Sequence, residues 1–291
     1  MTQFDPEAAA SFDALGQEVR IGILEALVQK RVDDPRNPGA SFSELRERVG
    51  VTDSGRFNYH LDKLTGRFVQ ETDAGYELNA AGQEVVGAVL SRSFDSEGES
   101  GPTALDAPCR ACGETVRARY EDGKLFVECD NGHLNHSDYL PGSLVEERPL
   151  PDATALATLL GQQDLALVTR DVCPSCYREI ESGVVLEAGE PALEGQCHQC
   201  GHFFRGPVSL AVLTHPVLRA FYLERGRDVR EASLWSLPFL TESDRSHVDS
   251  ESPLRVTVDA SYDGDELTFS LDEDAVVTEY HVERIRADRD S

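Results

Sequence analysis

Through the first third of the chain, apolar positions recur at helical spacing. Asp5, Pro6 and Glu7 read as an N-cap, a first helical residue and a first-turn acid. Leu15, Val19, Ile23, Leu24 and Leu27 then keep one face apolar as far as residues 33–39 (DDPRNPG), a breaker-rich loop. Ser41 and Glu44 form a capping box for a short helix that turns Leu45 and Val49 inward and stops at Gly50. After a turn over residues 51–53, a second helix carries Phe57, Leu61 and Leu64 on one face. Two short helices on a tight turn containing Gly make a helix-turn-helix. The period then changes. Residues 67–79 (RFVQETDAGYELN) alternate, turn at residues 73–75 and return, which predicts a β-hairpin in the place of a wing. A last helix with Val85, Val86, Val89 and Leu90 as its stripe closes this domain, residues 1–94.

Residues 95–108 are polar, Gly/Pro-bearing and unpatterned, which predicts a linker. A helical pattern returns in the connector, residues 143–170, and again after residue 208, ending near Gly226. The tail, residues 231–291, opens as a linker. From Leu254 it alternates through RVTVDASY, LTFSL and VVTEYHV, with an Asp-Gly turn at Asp263 and Gly264, predicting a three-stranded antiparallel meander.

Seven cysteines stand between these patterns, none before residue 109. Cys173, Cys176, Cys197 and Cys200 form two C-x2-C knuckles twenty residues apart, within residues 171–230. That spacing is the zinc-ribbon pattern: four thiolates complete a closed tetrahedral site, and soft sulfur selects zinc over harder cations. A thiol redox pair is the competing reading, but it lacks its βαβ context. His198 and His202 read as surface residues. Cys109, Cys112 and Cys129, in residues 109–142, repeat the outline without a fourth cysteine. Either His133 completes a Cys3His zinc set, with His136 as the fallback, or the repeat has decayed into a metal-free hairpin. The expected fold is α+β: an N-terminal winged helix-turn-helix, two zinc-ribbon-like modules joined by helices, and a C-terminal antiparallel β-meander.

Composition changes the picture in two ways. Against 53 Asp and Glu stand 27 Lys and Arg, for a net charge of -26, while hydrophobic residues still make up 40%. This is a solvated acidic surface rather than a disordered chain, and it resembles proteins of extremely halophilic archaea. The N-terminus lacks a basic flank and an apolar core segment, and no apolar run reaches 18 residues, so the expected location is the cytoplasm. In that reducing compartment paired cysteines mean metal rather than disulfides.

Residues 41–70 (SFSELRERVGVTDSGRFNYHLDKLTGRFVQ) resemble ArsR-type winged helix-turn-helix regulators, in the version common in halophilic archaea. The resemblance covers about a third of the chain. It implies a sequence-specific transcriptional regulator that binds double-stranded DNA as a homodimer, paired through terminal helices. Locally the charge agrees, since Arg46, Arg48, Arg56, Lys63 and Arg67 outnumber Glu47, Asp53 and Asp62. By the phase of Phe57, Leu61 and Leu64, the base-reading positions are Ser54, Gly55, Arg56, Asn58 and Tyr59, with Arg46, Lys63 and Arg67 completing the DNA-binding set. His60 borders the buried stripe and reads as a packing residue before a base reader. Glu71, Asp73 and Glu77 make the hairpin acidic, a departure from the usual wing. ArsR-type metal sensors use cysteines of the DNA-binding domain, which this chain lacks, so any effector must act through the zinc-stabilised C-terminal half, by binding a partner or ligand.

No H-x-E upstream of P-C-x-x-C, no H-E-x-x-H, no Walker A, no G-x-G-x-x-G and no G-x-S-x-G occurs, which speaks against an enzyme. The runner-up function is a general transcription-machinery adaptor similar to archaeal transcription factor E, which also joins a winged helix to a zinc ribbon.

Overall fold

The computed structural model describes residues 6–94, 99–109 and 111–284; the proposed Asp5 cap lies outside them. The fold is mixed α and β, and the chain divides into two compact units.

The first unit opens with α1 (Pro6–Leu15) and α2 (Glu18–Asp33), followed by α3 (Phe42–Val49) and α4 (Ser54–Leu64). The Ser41 hydroxyl accepts the N–H of Glu44, and Gly50 ends α3 in the left-handed conformation at φ 73°. Asp53 caps α4 by accepting the N–H of Arg56. β1 (Val69–Thr72) and β2 (Gly75–Leu78) pair as the expected hairpin, and α5 (Ala80–Leu90) follows, capped by Asn79. Ala40 adds a further rung by exchanging both backbone hydrogen bonds with Tyr76. Gly75 permits this approach, since a Cβ there would lie 2.4 Å from the carbonyl oxygen of Ala40. Ile23, Leu27, Leu45, Phe57, Leu61 and Leu64 form the centre of the core.

The second unit corrects the domain reading in three places. The stretch expected to be a linker contains β3 (Ser100–Pro108), which pairs with β4 (Thr115–Glu121) in a sheet continued by β5 (Lys124–Cys129) and β6 (Leu134–Tyr139). β3 is an edge strand with two register breaks, so its prolines remove no required ladder bond, and Leu105 alone is buried. After α6 (Gly142–Glu146), α7 (Leu150–Val168) forms as expected, then β7 (Glu181–Glu187), β8 (Glu190–Gln196) and β9 (Phe203–Pro207) make a three-stranded sheet. The helix expected over residues 208–226 is two, α8 (Leu210–Leu213) and α9 (Pro216–Leu223), because Pro216 pushes His215 out of helical geometry to ψ 132°. After α10 (Pro238–Thr241), the tail sheet has four strands, not three: β10 (Ser246–Glu251) precedes β11 (Leu254–Tyr262), β12 (Asp265–Leu271) and β13 (Val277–Glu283).

α7 ties the second unit together. Leu150, Ala153 and Ala157 pack against the β3–β6 sheet, Leu165 joins the core shared by α9 and the tail sheet, and Val168 reaches the buried thiols Cys173 and Cys197. No helix among the described residues is long and apolar enough to cross a membrane.

Candidate metal centres and the exposed surface of α4

Each cysteine cluster sits where a sheet meets a pair of tight turns. In the second cluster the N–H of Tyr177 bonds back to the carbonyl of Cys173, and that of Gly201 to the carbonyl of Cys197. In the first, Gly113 bonds back to Cys109 over the same span, and Gly132 bonds back to Cys129 over one residue fewer. All four turn residues have positive φ, which glycine takes without strain and Tyr177 does not. The two clusters are thus structural repeats.

The turns converge the ligand atoms. Cys173, Cys176, Cys197 and Cys200 place their sulfurs within 4.8 Å of one another, as do Cys109, Cys112 and Cys129 with a ring nitrogen of His133. Sulfur separations are 3.6 Å for Cys173–Cys200 and Cys176–Cys197, and 3.7 Å for Cys112–Cys129. A tetrahedral ion with bonds of about 2.3 Å requires sulfurs about 3.8 Å apart, so the donor sets fit such an ion. His133 Nδ1 stands 3.5 Å from the Cys129 sulfur and 3.8 Å from that of Cys109, taking the fourth corner. His136 does not join it; its ring lies 6.2 Å from that of Trp235. His198 and His202 are also outside the second cluster, beside Glu181 and Ser175 respectively.

The surroundings split the ligands, lowering the Cys109, Cys112 and Cys197 thiols and raising those of Cys129, Cys176 and Cys200. The backbone N–H of Cys200, with help from that of Gln199 and against burial, holds the Cys197 thiol down to about 6. Asn131 donates to the Cys112 sulfur at 3.5 Å and lowers that thiol, and Asn135 donates to Cys109 at 3.4 Å. Neither asparagine stands out in the sequence, because their role depends on the turn that folds them back onto the sulfurs. Four protein ligands per site leave no open position for a reacting water, so the arrangement suits a structural ion.

In the first unit, α4 buries Phe57, His60, Leu61 and Leu64 and exposes Ser54, Gly55, Arg56, Asn58, Tyr59 and Lys63. Arg67 is exposed just beyond it, and Arg46 is half-buried on α3. Asn58 donates to Asp62 at 2.9 Å, and the Lys63 ammonium lies 5.6 Å from the Tyr59 ring centre. Arg48 is otherwise engaged, with Asp33 at 3.1 Å and Glu44 at 3.2 Å. His60 packs inward, as its place beside the stripe suggests.

No curated protein and no solved structure matches the chain. Residues 8–89 match a family described as a domain of unknown function (DUF7347). Residues 106–277, more than half of the chain and including both metal-ligand clusters, match the domain of unknown function DUF7351, and the protein belongs to that family.

Proposed function

We propose that the protein is a sequence-specific, DNA-binding transcriptional regulator. In this reading α3, its turn and α4 act as a helix-turn-helix, the β1–β2 hairpin stands in the place of the wing, and α4 enters the major groove. The observation that carries it is the division of α4 into a buried face and a remaining surface that exposes Arg56, Asn58, Tyr59 and Lys63. Arg pairs bidentately with guanine and Asn with adenine, and cations on the same element meet phosphates. Asn58 would exchange its bond to Asp62 for a base edge. Both clusters hold structural zinc, which stiffens a C-terminal region that binds a partner or ligand, and the protein works in the cytoplasm as a homodimer.

A second reading, the transcription-machinery adaptor, is favoured by the hairpin, where Glu71, Asp73 and Glu77 suit protein contact better than phosphate contact. Selection from a random duplex pool in molar potassium chloride separates the two. A regulator enriches a short inverted repeat, and Arg56→Ala with Asn58→Ala abolishes the preference while the protein stays folded, each bidentate contact contributing about 1–3 kcal/mol of discrimination. An adaptor enriches nothing and co-purifies with RNA polymerase. A double variant that selects the wild-type site overturns the assignment of α4.

A further inference from the structure

Among the described residues, the β3–β6 and β7–β9 sheets each end in a strand paired on one side only, β6 and β9. Both border one cleft of about 730 Å³ within the second unit. From β6 the consecutive residues His136, Ser137, Asp138 and Tyr139 line it, and from β9 Phe203, Phe204 and Arg205. Side chains alternate between faces along a strand, so consecutive lining residues mean that the cleft wraps the edges of β6 and β9, while Lys124 and Phe126 of β5, opposite Tyr139 and Ser137, carry it onto one face of the first sheet. The floor is α7, through Gly161, Asp164, Leu165 and Val168, one helical face. A helix floor beside free strand edges is the geometry in which an extended peptide adds as a strand.

The charges in the cleft are unevenly matched. Arg205 is engaged by Glu187 at 2.8 Å and Glu194 at 3.5 Å, and the Lys124 ammonium lies 4.8 Å from the Tyr139 ring centre. His202 shares a hydrogen bond with Ser175. Asp138 accepts the N–H of Tyr139 at 2.8 Å, and neither Asp138 nor Asp164 makes an ion pair among the described residues; burial and the charge of Asp138 raise the Asp164 carboxyl, and His202 lowers it. A second cavity of about 290 Å³ is also lined by His136, and His136 Nε2 is buried with no hydrogen-bond partner among the described residues. A buried polar atom left in this way is one that a ligand or water completes.

We propose that this cleft binds an extended peptide segment of a partner protein, added along the free edges of β6 and β9, with an Arg or Lys side chain set between Asp138 and Asp164. β9 has five residues, enough to pair a segment of about 17 Å. Apolar side chains of the peptide, alternating with the basic one, meet Phe203, Phe204 and Leu213. The proposal gives the C-terminal partner surface of the regulator a location, and only its biological role rests on that reading. Binding measured without DNA therefore fails or succeeds separately from DNA recognition.

The test uses the full chain in molar potassium chloride and a fluorescent hexapeptide of alternating valine and arginine, followed by anisotropy. Its comparators are the valine–glutamate hexapeptide and free arginine amide. Saturable binding of the arginine peptide alone is expected, with slowed amide exchange in β6 and β9. Asp138→Asn with Asp164→Asn should weaken it at least about tenfold, the scale of a lost hydrogen bond to a charged group. Gly161→Leu should block it by filling the floor, and it is compatible with folding because no atom lies within 4 Å of the added Cβ. No binding by the arginine peptide, equal binding by the glutamate peptide, arginine amide binding as tightly as the peptide, or unchanged exchange in both strands each overturns the proposal.

Discussion

Arg20 donates from Nε to Nδ1 of His60 across 3.4 Å, and both side chains are buried. The same guanidinium donates from Nη1 to the carbonyls of Asp13 and Ala14, so one buried cation joins α1, α2 and α4. Burial lowers the His60 pKa below its ordinary 6.5, and the charges of Arg20 and Arg56 lower it further.

A pH dependence follows from that shift. Unfolded His60 takes a proton near 6.5 and folded His60 only at lower pH, so between the two values the unfolded chain holds more protons. The contribution to stability is complete above the unfolded value and is lost as pH falls through the folded one. An NMR titration of the His60 ring should show a midpoint below 6.5, moving upward in Arg20→Met. A wild-type midpoint at 6.5 or above refutes the coupling.

Two glycines of α5 should respond to alanine with opposite sign. Gly87 has open space around its added Cβ, so Gly87→Ala gains the helix propensity of alanine, about 1 kcal/mol. At Gly82 the Cβ would lie 2.1 Å from the Phe68 carbonyl oxygen, so the backbone must move, and Gly82→Ala should cost about 1–3 kcal/mol. Thermal unfolding of the two variants checks this, and shifts of the same sign would contradict the packing described.

Much of this was legible where a feature depends on local period or spacing. The helices from residue 18 to 90, the β1–β2 hairpin, α7 and the four-ligand membership of both clusters follow from neighbours along the chain. What was missed depends on partners far away in sequence. β3 reads as a linker because its proline-rich pattern is tolerated only at an edge beside β4. β10 carries a polar segment, SHVDSE, with a bulge between Val248 and Ser250, so only its pairing with β11 identifies it. Arg20 looks like a surface residue of an amphipathic helix until His60 is seen beside it. The cleft between β6 and β9 is a property of two sheets whose edges lie more than sixty residues apart in sequence.

Metal analysis of the purified chain should give two zinc ions. Cys173→Ser and His133→Ala should each remove one, from the second and first clusters respectively, while His136→Ala and His202→Ala should remove none. Cobalt substitution, read by its tetrahedral thiolate spectrum, locates each loss. Full occupancy in Cys173→Ser would move the ligands elsewhere, and one ion in the wild type would mean that the first cluster is a metal-free hairpin. Because an ion there would close loops that include Cys173 and Cys197, residues of a buried core, chelation should unfold the second cluster rather than merely empty it.

Val85 and Val86 of α5 pack into the first unit's core, but Val89 is 50% exposed, Leu90 64% and Phe94 74%. The simplest intramolecular cover, α1 around Phe12, does not supply it, since Phe12 is itself 73% exposed. Apolar side chains clustered at one helix end and left to water are what a symmetric partner helix buries. On the regulator reading a two-fold pair sets two α4 helices about 34–36 Å apart, one turn of DNA. Light scattering in molar potassium chloride should therefore give a dimer for the wild type and a monomer for Val89→Asp, whose carboxylate could not be buried without a partner charge. The variant should keep its thermal transition, because an exposed position contributes little to the core. A monomeric wild type would sink the two-fold arrangement, and a dimeric Val89→Asp would move the interface to another surface.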